Sequence, residues 1–216
     1  MNTFQLWSAI DRLNKEELTQ LLTSCFSRSL SNPTLVEPAS ELRQAAVLIP
    51  FIIDDGKINI LLTKRSLNLP SHQGQVCFPG GKVDLSDRST TETALRETFE
   101  EIGIAREDIR PIGALLPLPT VSQFNIHPII GLISRKAHYN LSTSEVEQVF
   151  ELPLLQLLNP DALKKEKIIR WQKEHTIHVI AYNGFYIWGA TASLLVQLRE
   201  LILSNASFAE LATLPR

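Results

Sequence analysis

The chain has 216 residues, 44% hydrophobic and 20% charged, enough for one globular domain with an accessory helical layer. Its 21 lysines and arginines nearly balance 23 aspartates and glutamates, and the formal charge of -2 gives no general drive toward nucleic acid or acidic membranes. Cys25 and Cys77 lie far apart, outside any CxxC or Cys/His pattern, which argues against a zinc site or disulfide framework and suits a reducing compartment.

Between Phe4 and Leu30, the apolar residues Leu6, Ile10, Leu13, Leu18, Leu21 and Leu22 recur at helical spacing with a break near Asn14. One or two amphipathic helices, acting as a packing layer, are predicted there. Met1–Leu30 holds no uninterrupted apolar run suited to secretion or membrane insertion, so a soluble, cytoplasmic protein is expected. Ser31–Glu41, with Pro33 and Pro38, reads as a connector. The division that follows is a helical extension and connector over 1–42, a main domain over 43–204 and a tail over 205–216.

Ala45–Ile53 and Lys57–Thr63 are apolar runs flanking Asp54-Asp55-Gly56, the pattern of a β-hairpin. Gln75–Phe78 suggests a short strand, and Phe78-Pro79-Gly80-Gly81 a glycine-containing turn where backbone can approach a helix or ligand closely. Thr90–Gly103 has helical periodicity with Gly103 as its stop. Strand-like segments follow at Ile112–Leu116, Ile126–Ser134 and Thr176–Tyr182, and Ala190–Ser204 reads as a closing helix. Mixed strands and helices point to an α/β or α+β sandwich. The Lys164–Lys173 charge cluster reads as solvated surface, and His127, His175 and His178 show no ligand spacing.

On a helical wheel, Glu100 and Glu101 fall close to either side of Glu97, because each residue advances about 100°. Leu95, Thr98, Phe99 and Ile102 make the opposite stripe, expected to be buried. Three carboxylates on adjacent turns repel unless a hard divalent cation binds them. Alone, the pattern also suits an ordinary wet helix face on which Arg96 pairs with Glu100.

The surrounding residues make it specific. Gly81–Ile104, containing Arg96-Glu97-Thr98-Phe99-Glu100-Glu101-Ile102-Gly103-Ile104, resembles the Nudix box, GX5EX7REUXEEXGU with U aliphatic. It departs in having Asp87 for the first glutamate, one extra residue before Arg96, and Thr98 at the aliphatic position. Leu61-Leu62-Thr63-Lys64-Arg65-Ser66, followed by Gly74 and Phe78-Pro79-Gly80-Gly81, resembles the additional motif of the coenzyme A diphosphatase branch. That branch carries a basic residue where Pro70 stands, a contact His72 could supply instead. The likeness continues through Leu118–Ser122, Val149–Pro153 and Ile187–Ala192.

The resemblance implies a Nudix-type α/β/α sandwich with a mixed β-sheet, and magnesium- or manganese-dependent hydrolysis of a diphosphate in coenzyme A or an acyl derivative. Glu97 and Glu101, one turn apart, become the principal metal ligands, Glu100 a further ligand or the base, and Arg96 the residue that orients a glutamate. Arg65 leads as the phosphate contact, with Lys64, Gly80 and Gly81 also expected at the substrate. Glu145 and Glu147 could add a carboxylate, or belong to a surface loop. The expected partner is a small molecule, with neither nucleic acid nor membrane, and a homodimer is compatible with the chain. Two alternatives stay open: a Nudix hydrolase of another nucleoside diphosphate derivative, and a nucleotide-binding module without turnover, which the altered spacing before Arg96 would suit.

Overall fold

The computed structural model describes residues 3–27, 41–134, 137–170 and 172–211. The predicted helical stretch forms α1, Thr3–Ile10, and α2, Lys15–Phe26, while its end and the proline-containing connector fall outside the described residues. Asn14 explains the break. Its side chain accepts the Glu16 and Glu17 N–H groups and its own N–H reaches the Glu17 carboxylate, a reciprocal capping box that starts a new helix.

Strands β1, Arg43–Asp54, and β2, Lys57–Arg65, form the expected hairpin. Asp55 and Gly56 both have positive φ, as a two-residue primed turn requires. The two strands pair directly only from Phe51 with Ile60 to the turn, then diverge. Pro50, on the edge that Leu48 uses toward Pro79, has no N–H to continue the ladder.

The next segment fills this wedge. β3, Val76–Cys77, pairs with the far half of β2, and β4, Gly80–Lys82, pairs with the near half of β1, while Leu48 N–H donates to Pro79 O at 2.9 Å. Of the glycine turn expected at Phe78–Gly81, Phe78 and Pro79 make the connection and Gly80 and Gly81 are strand. Glycine has little intrinsic preference for strands, and two waiting edges impose the conformation.

The sheet is completed by β5, Ile109–Ala114, β6, Leu118–Pro119, β7, Phe124–Ile133, and β8, Val146–Pro153. It is an eight-stranded mixed sheet whose β1–β7 pair is parallel. Helix α3, Thr90–Ile102, packs through Ala94, Leu95 and Ile102 on Ala46, Leu48 and Ile52 of β1. Ile49, Phe51 and Ile53 belong to a second core with α1, α2 and the closing helix α5, Gly189–Ser204, and Phe26 stacks on Phe51 with ring centroids 5.7 Å apart. Residues 205–216, expected as a tail, contain α6, Ala206–Leu211, whose Phe208 is fully buried in that core. The result is an α/β/α sandwich with a mixed sheet.

A second sheet orders β11, Phe185–Trp188, β10, Lys173–Tyr182, and β9, Leu163–Arg170. The Lys164–Lys173 cluster forms strand β9 and the start of β10, with Lys164, Lys165, Lys167 and Lys173 exposed as a solvated surface requires, while Glu147 lies in β8 and Glu145 in the turn before it. Between them comes the short helix α4, Leu154–Leu158.

Candidate active site

The site grows from the wedge between β1 and β2. At Gly80, whose φ is 152°, a side chain would collide with Ala46 O and Val47 Cα, so only glycine lets β4 lie this close to β1. At Gly81 a Cβ would overlap the Glu97 carboxylate, and its absence lets α3 lay Glu97 over the strand.

Helix α3 starts at Ser89, whose hydroxyl accepts Glu92 N–H at 3.1 Å, and stops at Gly103 in the left-handed conformation. Three residues of the predicted inner stripe, Leu95, Thr98 and Ile102, are buried, and the fourth is not. Phe99 is 57% exposed, while Thr93, Ala94, Thr98 and Glu101 are buried. Under the helix lie Ala46 and the paired glycines, where small residues allow close approach and a phenyl ring has no room.

The three glutamates consequently differ. The Glu101 side chain is 4% exposed, that of Glu97 17% and that of Glu100 52%. Glu101 accepts Gly80 N–H at 3.3 Å and stands 4.0 Å from Arg65 Nη1. Burial pushes its carboxyl up to about 8 against the pull of that N–H and of Arg65, and the charges of Glu97 and Glu145 add to the rise. Burial also raises Glu97, opposed by Arg96.

Arg96 gathers the other acids. Its Nε and Nη2 donate to the two oxygens of Asp87 at 3.0 and 2.9 Å, and Nη1 donates to Glu97 at 2.9 Å and Glu100 at 3.0 Å. Asp87 also accepts from the Thr93 hydroxyl at 2.8 Å and Asp84 N–H at 2.9 Å. The Arg96 hydrogen bonds above all hold the Asp87 carboxyl down at about 2, and Asp87 in turn raises Arg96. The aspartate at 87 and the extra residue before Arg96 thus end in a bidentate ion pair.

Among the described residues, no three His, Cys, Asp or Glu side chains gather tightly enough to hold a metal by themselves. Glu100 is turned onto Arg96. The donor set still fits a hard divalent ion: Glu97 and Glu101 offer desolvated oxygens one turn apart, and magnesium commonly takes one or two carboxylates together with waters and substrate phosphates.

A cleft of about 590 Å³, within the range of small-molecule sites, is lined at this point by Arg65, Gly80 and Gly81. Phe124, Ile126, Trp188 and Leu194 add an apolar wall. His72 also lines it, its Nδ1 2.8 Å from Gln75 Oε1. Lys64 does not. Its ammonium lies instead 2.8 Å from the Glu147 carboxylate on β8. Cys77 lines the cleft, but burial pushes its thiol up, away from the reactive thiolate. His127 is buried in β7, its Nε2 2.8 Å from Gln44 Oε1, in keeping with a structural role.

Sequence reasoning missed the Asp87–Arg96 pair, which depends on the loop before α3 folding back. It also missed Ile168 and Ile169 at the cleft, although two adjacent isoleucines within a lysine-rich run were a signal.

The NUDIX domain family model matches residues 42–172. The uncharacterized Nudix hydrolase NudL of Pectobacterium atrosepticum is 40% identical over 169 residues, covering 78% of this chain and 88% of that protein. NudL of Citrobacter koseri is 42% identical over 161 residues, with 74% and 82% covered. Among solved structures, the NUDIX domain of Shewanella oneidensis NrtR complexed with ADP ribose aligns with a TM-score of 0.50 at 16% identity, covering 87% of this chain and 98% of that one. A MutT/nudix family protein from Enterococcus faecalis gives 0.50 at 11% identity, covering 99% and 80%. These structures share the fold. The chain belongs to the Nudix hydrolase family.

Proposed function

We propose that the protein hydrolyses the diphosphate of coenzyme A or acyl-coenzyme A, releasing the phosphopantetheine half and adenosine 3',5'-bisphosphate. The observation that carries this reading is the meeting in one cleft of Arg65 and Gly80-Gly81, the two ends of the branch-specific motif, against the buried carboxylate of Glu101.

Glu97 and Glu101 would hold the cation, with Glu145 near enough for its charge to act on both. Bound there, magnesium or manganese supplies positive charge to the phosphoryl oxygens and makes a bound water more acidic. Arg65 contributes a guanidinium to the same phosphates, and the glycines keep side chains out of the way. Glu100 and Glu101 are the carboxylates available to take the water's proton as oxygen bonds to phosphorus and the bridging P–O bond breaks. Arg96, fixed on Asp87, sets the direction of Glu97. His72 at the cleft suits the phosphate contact for which the branch uses a basic residue at the position of Pro70. No helix among the described residues is long and apolar enough to cross a membrane, and free Cys25 and Cys77 agree with a cytoplasmic setting.

The test is product-resolved mass spectrometry after incubation with magnesium or manganese and coenzyme A, beside ADP-ribose and diadenosine polyphosphates. Preferential release of phosphopantetheine with adenosine 3',5'-bisphosphate is expected. Cleavage of a comparison substrate alone would move the assignment to that substrate.

A further inference from the structure

A free strand edge borders the cleft. β9 pairs with β10, and among the described residues nothing pairs with its other edge. Ile168 and Ile169 both line the cleft. Successive side chains of a strand point to opposite faces, so neighbours share one cavity when the strand turns its edge toward it.

The register identifies the backbone groups on that edge. Arg170 and Lys173 are partners across two intervening residues, and a pair so near the turn must be one that exchanges both hydrogen bonds. Alternation makes Ile168 and His175 the next such pair. The N–H and C=O of Ile169, between them, point away from β10. Ile169 is 84% exposed at the same place.

We propose that the edge of β9 at Ile169 receives an extended, amide-bearing arm of the substrate, pairing with a secondary amide as an added strand would. The inference rests on the coenzyme A reading. The pantetheine arm is a linear chain with two secondary amides, whereas ADP-ribose and dinucleoside polyphosphates have none. Lys164 and Lys165 on the same strand are exposed and place positive charge that complements a polyanionic substrate, while Lys167 is paired with Glu174 at 2.9 Å and Glu166 accepts the Tyr186 hydroxyl. Apolar and cationic side chains thus flank a backbone that supplies the recognition.

The test compares wild type, Ile169→Pro and Ile169→Ala on coenzyme A and on an analogue with both pantetheine amides N-methylated. Proline removes the outward N–H while the ladder to β10 runs through Ile168, and alanine keeps the N–H and removes the side chain. Ile169→Pro is expected to lower kcat/KM for coenzyme A about three- to tenfold, mainly through KM, and Ile169→Ala, which keeps the N–H, to retain the wild-type ratio of kcat/KM between coenzyme A and the N-methylated analogue. N-methylation should cost the wild type about as much and Ile169→Pro nothing further. Should Ile169→Pro fail to fold, the analogue on wild type decides. Wild type cleaving both compounds equally, or Ile169→Pro matching wild type, overturns the strand-edge inference and leaves the substrate reading standing. A wild type that splits ADP-ribose but releases no phosphopantetheine overturns the substrate reading, and this inference with it.

Discussion

Asp87 and Glu101 occupy two corners of the same helix site, with side chains 3% and 4% exposed, yet their acidities move in opposite directions. Asp87 is saturated with donors and held near 2, while Glu101 has one N–H at 3.3 Å and a guanidinium 4.0 Å away and rises to about 8. Burial alone therefore does not decide what a carboxylate is for. One corner has completed its electrostatics within the chain, and the other leaves a demand that a bound cation meets.

The sharpest way to break this contrast is Glu101→Gln. Turnover should fall at least about a hundredfold with folding stability at pH 7 undiminished, since an amide suffers no ionisation penalty in that corner. Activity and urea titrations on one preparation would show it, and retained turnover would remove Glu101 from the site. Asp87→Asn should act in the reverse sense, lowering stability on the order of 2 kcal/mol at neutral pH, the equivalent of the shift from 3.8 to about 2. Because that folded-state pKa is depressed, the wild type holds this contribution above about pH 4 and loses it as pH falls toward 2. The difference between the two proteins should vanish over that window in denaturant titrations.

A smaller effect is expected at Gly81→Ala, where a methyl meets the Glu97 carboxylate. Magnesium or manganese affinity should weaken about tenfold by calorimetry, and an unchanged value would show that Glu97 does not depend on β4 for its position. Smallest is Phe99→Ser, on the outer face between the corners, which should shift stability by no more than about 0.5 kcal/mol and leave turnover intact.

What the sequence made legible follows the same division. The hairpin, α3 with its Gly103 stop, β7 and α5 were readable because each carries its own periodicity or turn chemistry. β4 was not, since its conformation comes from the wedge, and β9 was not, since lysines and a glutamate on an exposed strand look like any wet surface. The close grouping of Glu97, Glu100 and Glu101 could be drawn on a wheel. Their sorting into a buried, a half-buried and an exposed group could not, because it depends on glycines and a β1 edge brought up from elsewhere. The same limit hid the engagement of Lys64, whose partner Glu147 is remote in sequence.

The segment from Val76 to Lys82 is tied to β2 at one end and to β1 at the other. Slow hydrogen exchange is expected for the N–H of Leu48 and for the bonded amides of this segment, at rates set by opening of the whole sheet rather than of a loop. The floor of the cleft then works as a fixed gauge against which a ligand is measured. Differences in substrate length have to be absorbed by the opposite wall, where the β9–β10 hairpin stands attached along one side.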